Sequence, residues 1–236
     1  LWDIDTPNCY VAVSRVFMDG KEMDSYETPF GIRTIEFTHD QGFMLNGQKV
    51  AIKGVCMHHD LGALGAAFNE VAAERQLRIM KEMGANAIRT SHNAPAPELV
   101  DLCDRMGLMM QLELADTWQK GKRKNDYNLL FDDWSEADMR SLVRHYRNHP
   151  SVIMWSIGNE IEWTYTGCRE ATGFFGADSN GNYFWNQPPY SKEKIREMWK
   201  IQPKQAYDIG RTAQKLAAWT RQMDTTRVVT ANCILP

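Results

Sequence analysis

The feature that most constrains the fold is an alternation of strand-like and helix-like segments that begins near residue 51. Short apolar runs rich in β-branched side chains recur between segments whose apolar residues have helical spacing. This alternation is typical of α/β folds, in which parallel strands are joined by helices. The predicted strands are, in chain order, Val50–Cys56, Ala87–Arg89, Leu108–Leu112, Val152–Ile157 and Arg227–Cys233.

Two architectures fit this alternation, an open doubly wound sheet and a closed (β/α) barrel. An open sheet that binds a dinucleotide carries Gly-x-Gly-x-x-Gly after its first strand, whereas residues 56–62 read Cys-Met-His-His-Asp-Leu-Gly. The sequence therefore favours the barrel. We predict that residues 41–236 form part of a (β/α)8 TIM barrel, with about five of its strands.

Several helix boundaries are marked by residues that cap or end helices. Asn69 is a suitable N-cap, Pro97 suits a first helical turn, and Gly107 suits a helix C-terminus. The spacing Ser135-x-x-Asp138 resembles a capping box and predicts that the third helix opens there. Residues 161–205 show no clear periodicity, which predicts a long excursion on the side of the strand ends.

Residues 1–40 have a different character and are predicted to be the last strands of an immunoglobulin-like β-sandwich. Tyr10–Phe17 is β-rich, Asp19-Gly20 is a tight-turn signal, and Arg33–Phe37 alternates with a period of two. Two or three strands do not make a stable sheet alone. We therefore expect these residues to complete a sandwich whose first strands lie upstream.

Composition excludes some classes of function. The chain has 236 residues, of which 43% are hydrophobic, and a net charge of -3 without a long run of one sign, so a nucleic-acid partner is not expected. No apolar stretch approaches the span of a bilayer. The 5 cysteines form no Cys-x-x-Cys pair, which argues against a zinc site or a disulfide framework. Cys56, Cys103 and Cys233 lie in apolar runs and are predicted to be small core residues.

Polar side chains follow four successive predicted strands. In a barrel these positions converge on one mouth, so the sequence predicts a shared site there. Each residue alone could be a hydrogen-bonded structural group or a polar loop entry, but the recurrence favours a site. The residues are, strand by strand, His58, His59 and Asp60; Arg89, Ser91, His92 and Asn93; Glu113, Asp116 and Trp118; and Asn159 and Glu160.

Metal and sugar are the two ligands considered for such a site. Neither His-x-x-x-His nor His-Glu-x-x-His occurs among these strand-end residues, so a metal site is the weaker interpretation. A sugar fits better, because Trp118, Trp155 and Trp163 could stack on pyranose faces while amide, imidazole and carboxylate groups bind hydroxyls. Trp155 lies within a strand and could equally be core. Glu160, at a strand end, could protonate a glycosidic oxygen.

Two motifs of the chain resemble segments of glycoside hydrolase family 2, the β-galactosidase and β-glucuronidase group. Residues 147–160, Arg-Asn-His-Pro-Ser-Val-Ile-Met-Trp-Ser-Ile-Gly-Asn-Glu, resemble the family's acid/base segment. Residues 86–95, Asn-Ala-Ile-Arg-Thr-Ser-His-Asn-Ala-Pro, resemble its second-strand segment. The similarity extends over residues 30–37 and 53–60, and it thins beyond residue 163. The stretch 53–67 is most similar to bacterial members labelled β-galactosidases.

The resemblance implies roles for individual residues. Glu160 would be the general acid/base, and Asn159 would bind the sugar 2-hydroxyl. Arg89 would sit beside the nucleophile, with His58 and His92 lining the sugar subsite. Asp116 and Trp118 are further candidates for substrate binding. Magnesium-dependent members use a Glu and a His shortly after strand three, where this chain reads Asp-Thr-Trp-Gln at 116–119, so no metal or other cofactor is expected.

The expected function is retaining, exo-acting hydrolysis of β-glycosides, most of all β-galactosides. A carbohydrate-binding barrel without catalysis, or activity on β-glucuronides or β-mannosides, remains the alternative. The resemblance places the nucleophile after the seventh strand, outside this chain, so we expect the chain alone to be inactive. A glycoside substrate and a second copy of the chain are the candidate partners. The resemblance favours a bacterial periplasmic or secreted protein, with any signal lying upstream.

Overall fold

The N-terminal part of the protein consists of antiparallel strands. The computed structural model describes residues 1–164, 171–173, 189–202 and 208–232. Strands β1 (Cys9–Met18) and β2 (Lys21–Gly31) form a two-stranded hairpin, and β3 (Ile35–Thr38), β4 (Gly42–Leu45) and β5 (Gln48–Lys49) form a three-stranded sheet. The expected antiparallel strands are therefore present. Their assignment to an immunoglobulin-like sandwich over residues 1–40 stays a prediction.

The main sheet has five parallel strands in chain order, as expected for part of a TIM barrel. Neighbours in sequence are neighbours in the sheet, and every pair is parallel. A doubly wound sheet would reverse its strand order at a switch point, which this sheet does not do over its described strands. The partial barrel is thus confirmed. Its strands are β6 (Gly54–His58), β7 (Ala87–Ser91), β8 (Met109–Glu113), β9 (Val152–Asn159) and β10 (Val228–Asn232).

The helices lie between these strands in sequence, and all but the fourth bury residues in the core beside the sheet. Asn69 caps the first through a hydrogen bond from the Ala72 amide, and Gly107 ends the second in the left-handed conformation with φ of 70°. Both features follow the sequence prediction. The helices are α1 (Glu70–Glu82), α2 (Pro97–Met106), α3 (Phe131–Tyr146), α4 (Lys192–Ile201) and α5 (Ile209–Met223), with short 3-10 turns at Gly62–Leu64, Tyr127–Leu129 and Ile161–Thr164.

Three boundary predictions need correction. The third helix begins at Phe131, so the Ser135 hydroxyl lies inside the helix and the capping box is wrong; Ser135 is buried because it occupies the inward face of that helix. The first barrel strand begins at Gly54 rather than Val50. The excursion at 161–205 contains α4, in which Ile195, Met198 and Trp199 have a helical spacing that the prediction overlooked, and the Ser191 side chain caps this helix.

Two apolar clusters hold the fold together. The larger fills the space between the sheet and the helices and includes Leu77, Val100, Leu112 and Leu216. The smaller closes the barrel at the beginnings of its strands, where Trp2, Phe43 and Leu45 pack against Ala87, Met109 and Ile153. Fully burying one such aliphatic side chain contributes about 1.5–3 kcal/mol. The three-stranded sheet therefore serves as the floor of the barrel, opposite the mouth.

The first half of the 147–160 motif lies at this floor. The carbonyl of His149 accepts a hydrogen bond from Arg227 Nη2 at 3.0 Å, and that of Pro150 accepts one from Arg33 Nε at 2.8 Å. The His149 ring contacts Asp104, with 2.7 Å between Nδ1 and Oδ2. These residues therefore fix the start of the strand rather than bind a ligand, since the floor of a barrel is its stabilising end.

The cysteine prediction holds at only one described position. Cys103 is fully buried in α2, and burial raises the pKa of its thiol well above the usual value. Cys56 is exposed instead, because it points to the inner face of β6, where its sulfur lies 3.6 Å from Arg89 Nη1. Cys233 lies outside the described residues. Among the described helices, none is long and apolar enough to cross a membrane.

Candidate active site

The ends of the five parallel strands bring the predicted polar residues together. Arg89 pairs with Gln111 across β7 and β8, Glu113 with Ser156 across β8 and β9, and Asn159 with Asn232 across β9 and β10. Because alternate residues of a strand face the barrel interior, these side chains meet at its mouth. The structure thus brings Arg89, Glu113 and Asn159 together, whereas the His59 ring contacts Ala66 O and Asp60 accepts from the Gly62 amide. That these residues form one functional site stays a prediction.

Glu113 is the anionic centre of this site. Its side chain is fully buried, and its Oε2 accepts hydrogen bonds from Arg89 Nη2 at 2.8 Å, Ser156 Oγ at 2.6 Å and Asn232 Nδ2 at 2.6 Å. Arg89 Nε adds a further contact at 3.1 Å. A buried carboxylate is costly unless it is paired and hydrogen-bonded, and Glu113 meets both conditions. It thereby fixes the Arg89 guanidinium within the site.

His92 is oriented by the same carboxylate. Its Nδ1 lies 2.7 Å from Glu113 Oε1 and 3.2 Å from Arg89 Nη2. A carboxylate only accepts and a guanidinium only donates, so the shorter contact assigns the proton to Nδ1. Nε2 is then directed away from Glu113 and left for another partner. The exposed His58 ring packs edge-on against His92, with 5.1 Å between ring centres.

Asn159 is held from two sides. Its Oδ1 accepts a hydrogen bond from Arg89 Nη2 at 2.6 Å, and its Nδ2 donates to Asp116 Oδ1 at 2.8 Å. The residue is only 3% exposed. Its amide therefore has one orientation, set by a cation on one side and a carboxylate on the other.

Glu160 differs from its neighbours because its carboxylate has no hydrogen-bond partner in the described part of the chain. The residue is half-buried, and across the described segments its side-chain oxygens accept no hydrogen bond. Its backbone lies in the left-handed region with φ of 45°, and its amide donates to Asn232 O at 2.6 Å. The backbone is thus fixed while the carboxyl group is free to exchange a proton with a ligand at the mouth.

Asp116 lies in the loop after β8 together with a lysine. Lys122 Nζ donates to Asp116 Oδ1 at 2.7 Å, to Asp116 O at 2.9 Å and to Asn159 O at 2.7 Å. The loop is folded around Asp126, whose carboxylate accepts from the Lys122 and Tyr127 amides at 3.0 and 2.8 Å. Burial by itself raises the pKa of Asp126, but these backbone hydrogen bonds lower it below the usual value.

The residues at 116–119 do not fit the magnesium site of the metal-dependent relatives. The Lys122 ammonium already neutralises Asp116, Trp118 is buried, and Gln119 Nε2 donates to Thr212 Oγ1 at 3.1 Å. Lys122 thus offsets the negative charge that Asp116 would bring to a cation. Asp101, Asp104 and His149 cluster within 4.8 Å at the floor of the barrel. There Asp104 is engaged by the His149 ring and the Ser151 amide.

The predicted stacking role of the tryptophans is not supported. Trp118 is 3% exposed, packs beside Phe131 and donates from Nε1 to Ile157 O at 2.9 Å, so neither ring face is open to a sugar. Trp155 is also core, and its Nε1 donates to Asp224 Oδ2. Trp155 is buried because it alternates along β9 with Met154, which lies on the inner face, whereas Trp118 lies in the loop after β8 and packs into the same core cluster. The Trp163 side chain lies outside what the structure describes.

Four residues of the site were not assigned by sequence reasoning. Glu113 was recognised as a strand-end residue, but nothing in the sequence indicated that it binds Arg89 and His92. Asn232 could have been found from its place at the end of the fifth strand. Ser156 lies within an apolar run, and Lys122 lies in a loop without a motif, so neither carried a signal.

Comparison with known proteins agrees with this geometry. The family model described as "Glycosyl hydrolases family 2, TIM barrel domain" matches residues 36–173, and "Glycosyl hydrolases family 2" matches residues 1–33. Beta-galactosidase BoGH2A from Bacteroides ovatus is 45% identical over 237 residues, which cover 100% of this chain and 27% of that protein. A putative beta-glucuronidase from Formosa agariphila is 41% identical over 161 residues, which cover 68% of this chain and 16% of that protein.

A solved structure shares the same arrangement. The glycosyl hydrolase family 2 member from Bacteroides cellulosilyticus superposes with a TM-score of 0.77 at 36% identity, covering 99% of this chain and 25% of that one. The chain spans about a quarter of the length of these relatives. Because the family model for the TIM-barrel domain matches more than half of the chain and covers β6 to β9, the chain belongs to glycosyl hydrolase family 2 and forms part of its TIM-barrel domain.

Proposed function

We propose that this chain is part of a retaining glycosidase that hydrolyses β-galactosides, with Glu160 as the general acid/base. The observation that carries the proposal is the contrast between Glu160 and its surroundings. Its carboxylate is half-buried and unbonded among the described residues, whereas Asn159, Arg89 and Glu113 are locked together beside it. A carboxyl group at the mouth of a barrel with this freedom suits proton transfer.

The proposed reaction has two steps. In the first, a second carboxylate attacks the anomeric carbon while Glu160 gives its proton to the departing glycosidic oxygen. In the second, Glu160 takes a proton from water, which attacks the glycosyl-enzyme and releases the sugar. Among the other described carboxylates at the strand ends, Glu113 is fully bonded, Asp116 is paired with Lys122, and Asp60 accepts a hydrogen bond from the Gly62 amide, so none is offered as the nucleophile. We propose that the nucleophile comes from the rest of a longer protein.

The remaining side chains are proposed to bind the sugar. Asn159 would present its amide to the 2-hydroxyl, where a contact that strengthens in the transition state is most effective. His92 Nε2 and the exposed His58 ring would line the sugar subsite. Arg89 would lie beside the nucleophile, and Asp116 would border the leaving-group side. Trp118 is left out of this set because it is buried.

The choice of β-galactosides rests on the relative that covers the whole chain. The β-galactosidase from Bacteroides ovatus is 45% identical across 100% of the chain, whereas the putative β-glucuronidase matches 68% of it. A panel of aryl β-galactoside, β-glucuronide and β-mannoside substrates tests this choice directly. Galactose binding without turnover of any of them would instead support a carbohydrate-binding module.

The test of the acid/base role is Glu160→Gln in the longer enzyme. Glutamine keeps the shape but has no proton to give, so substrates with poor leaving groups should lose about 10²–10⁴-fold in kcat/KM. An activated substrate such as 2,4-dinitrophenyl β-galactoside needs little acid assistance and should lose much less in the step that breaks the glycosidic bond.

The matched control is Glu136→Gln, the same change on an exposed glutamate of α3. It should leave kcat/KM unchanged for every substrate. Equal and small losses on poor and activated substrates with Glu160→Gln would refute the acid/base role.

A further inference from the structure

Lys122 is held at the mouth of the barrel by contacts to Asp116 and Asn159. Its side chain is 16% exposed, and its ammonium donates to three oxygens: Asp116 Oδ1, Asp116 O and Asn159 O. An ammonium has three N–H donors, so these contacts use all of them. Lys122 is therefore held in place, unlike the exposed Lys120 and Lys124 of the same loop.

The peptide bond between Asn159 and Glu160 is fixed from both sides. Its carbonyl oxygen accepts from Lys122 Nζ at 2.7 Å, and its N–H donates to Asn232 O at 2.6 Å. Glu160 has φ of 45°, a conformation that a residue with a side chain adopts only when its surroundings impose it. The two hydrogen bonds provide that constraint, and they set the direction in which the Glu160 side chain leaves the backbone.

The same ammonium stabilises the partner of Asn159. Asp116 Oδ1 accepts from both Lys122 Nζ and Asn159 Nδ2, so the lysine compensates the carboxylate that orients the amide. The backbone of Lys122 is also fixed, because its amide donates a hydrogen bond to Asp126 Oδ2 at 3.0 Å. A chain of contacts thus runs from the folded loop, through one cation, to the backbone of Glu160.

We propose that Lys122 is a positioning residue for the acid/base: its ammonium fixes the Asn159–Glu160 peptide and so aims the Glu160 carboxyl group at the glycosidic oxygen. The inference rests on the proposed function of Glu160. Its consequence is that removing the ammonium weakens acid assistance more than it weakens any other part of the reaction.

The experiment compares Lys122→Met with the unmodified longer enzyme on two aryl β-galactosides, one with a poor and one with an activated leaving group. A misaligned acid should lower kcat/KM for the poor leaving group by about 10–100-fold, since small displacements of a catalytic group have effects of this size. The activated substrate should lose about ten-fold less. Lys122→Arg, which keeps the charge and the donors, should recover most of the loss.

A double variant separates positioning from general damage. In Lys122→Met/Glu160→Gln the acid is already absent, so the lysine change should add less than about three-fold to the loss on the poor leaving group. Lys120→Met is the matched control and should match the unmodified enzyme. If Lys122→Met does not fold, as judged by its thermal unfolding, Lys122→Gln takes its place with the same expected pattern.

The two proposals fail in different ways. If Glu160→Gln shows no dependence on the leaving group, the acid/base role itself is wrong. If Glu160→Gln shows that dependence but the lysine variants lose activity equally on both substrates, or multiply the loss in the double variant, Lys122 does not position the acid.

Discussion

At the scale of single residues, Glu113 shows how one buried charge organises a site. Its two oxygens accept from Arg89, His92, Ser156 and Asn232, which lie in or directly after the three strands β7, β9 and β10. Such a carboxylate costs several kcal/mol to desolvate, and only the complete set of partners compensates that cost. The position of Arg89 and the tautomer of His92 both follow from it.

We expect Glu113→Gln to destabilise the barrel by about 3 kcal/mol. The amide leaves the Arg89 charge without its buried counter-ion and turns an N–H₂ group toward donors that need an acceptor. Urea unfolding followed by tryptophan fluorescence measures the change. Glu74→Gln is the control, because it breaks an exposed pair with Arg78 and should cost about 0.5 kcal/mol or less. Equal costs for the two variants would contradict the role of Glu113.

At the scale of elements, strand β9 has a stabilising end and a chemical end. Asn159, the last of the eight residues of β9, lies at the mouth, and Val152, the first, lies at the floor. At the floor Arg227 donates to Val152 O at 2.6 Å and pairs with Asp224 at 2.7 Å, which ties the end of α5 to the start of β9. Trp155 Nε1 joins this group by its bond to Asp224.

Asp224 makes this connection sensitive to acid. Burial raises the pKa of Asp224, but hydrogen bonds from Thr226 and the charge of Arg227 outweigh burial and lower it to about 2. A carboxylate whose pKa is lower in the folded state stabilises the fold above its unfolded pKa, near 3.8, and loses that contribution as the pH falls toward 2. The contribution is roughly 2 kcal/mol.

We therefore expect the free energy of unfolding to fall by roughly 2 kcal/mol more between pH 5 and pH 2 in the native protein than in Asp224→Asn. The asparagine variant should already lack this contribution at neutral pH. Urea unfolding at several pH values, followed by tryptophan fluorescence, gives both numbers. Asp5→Asn, a change at an exposed carboxylate, is the control. Parallel pH profiles for native protein and Asp224→Asn would disprove the assignment.

At the scale of the whole molecule, the inner face of the sheet is only partly covered. Arg89, Gln111 and Met154 form a row across the inside of the barrel, and each is only half-buried, while the same strands are buried on their outer face. In a closed barrel, side chains from the facing strands fill this space. The chain also spans 27% of the length of its β-galactosidase relative.

We expect the 236-residue polypeptide alone to show no Glu160-dependent hydrolysis of an aryl β-galactoside, whereas the longer protein hydrolyses it. Strands β6 and β10 have free edges among the described strands, so the isolated polypeptide should also associate as its concentration rises. Turnover assays beside light scattering test both expectations. Glu160-dependent turnover by the short polypeptide would show that it contains its own nucleophile.

The sequence by itself determined the order of the barrel elements and the end of the sheet at which chemistry is expected. Periodicity located every barrel strand to within a few residues, because apolar runs and caps such as Asn69 and Gly107 act locally. Local signals also explain the errors. Ser135 has the spacing of a capping residue, but Phe131 packs into the core and α3 begins at that residue.

Only the tertiary structure decided which polar residues meet and which aromatic residues remain available. Glu113 and Asn232 are 119 residues apart, and their contact exists because the barrel places β8 and β10 on either side of β9. From the sequence Trp118 is a candidate for stacking on a sugar ring, but in the structure it is buried in the core. Lys122 gains its role only because the loop folded around Asp126 carries its ammonium to the Asn159 carbonyl. Contacts between distant segments depend on how the strands pair and curve into one sheet, which no local pattern encodes.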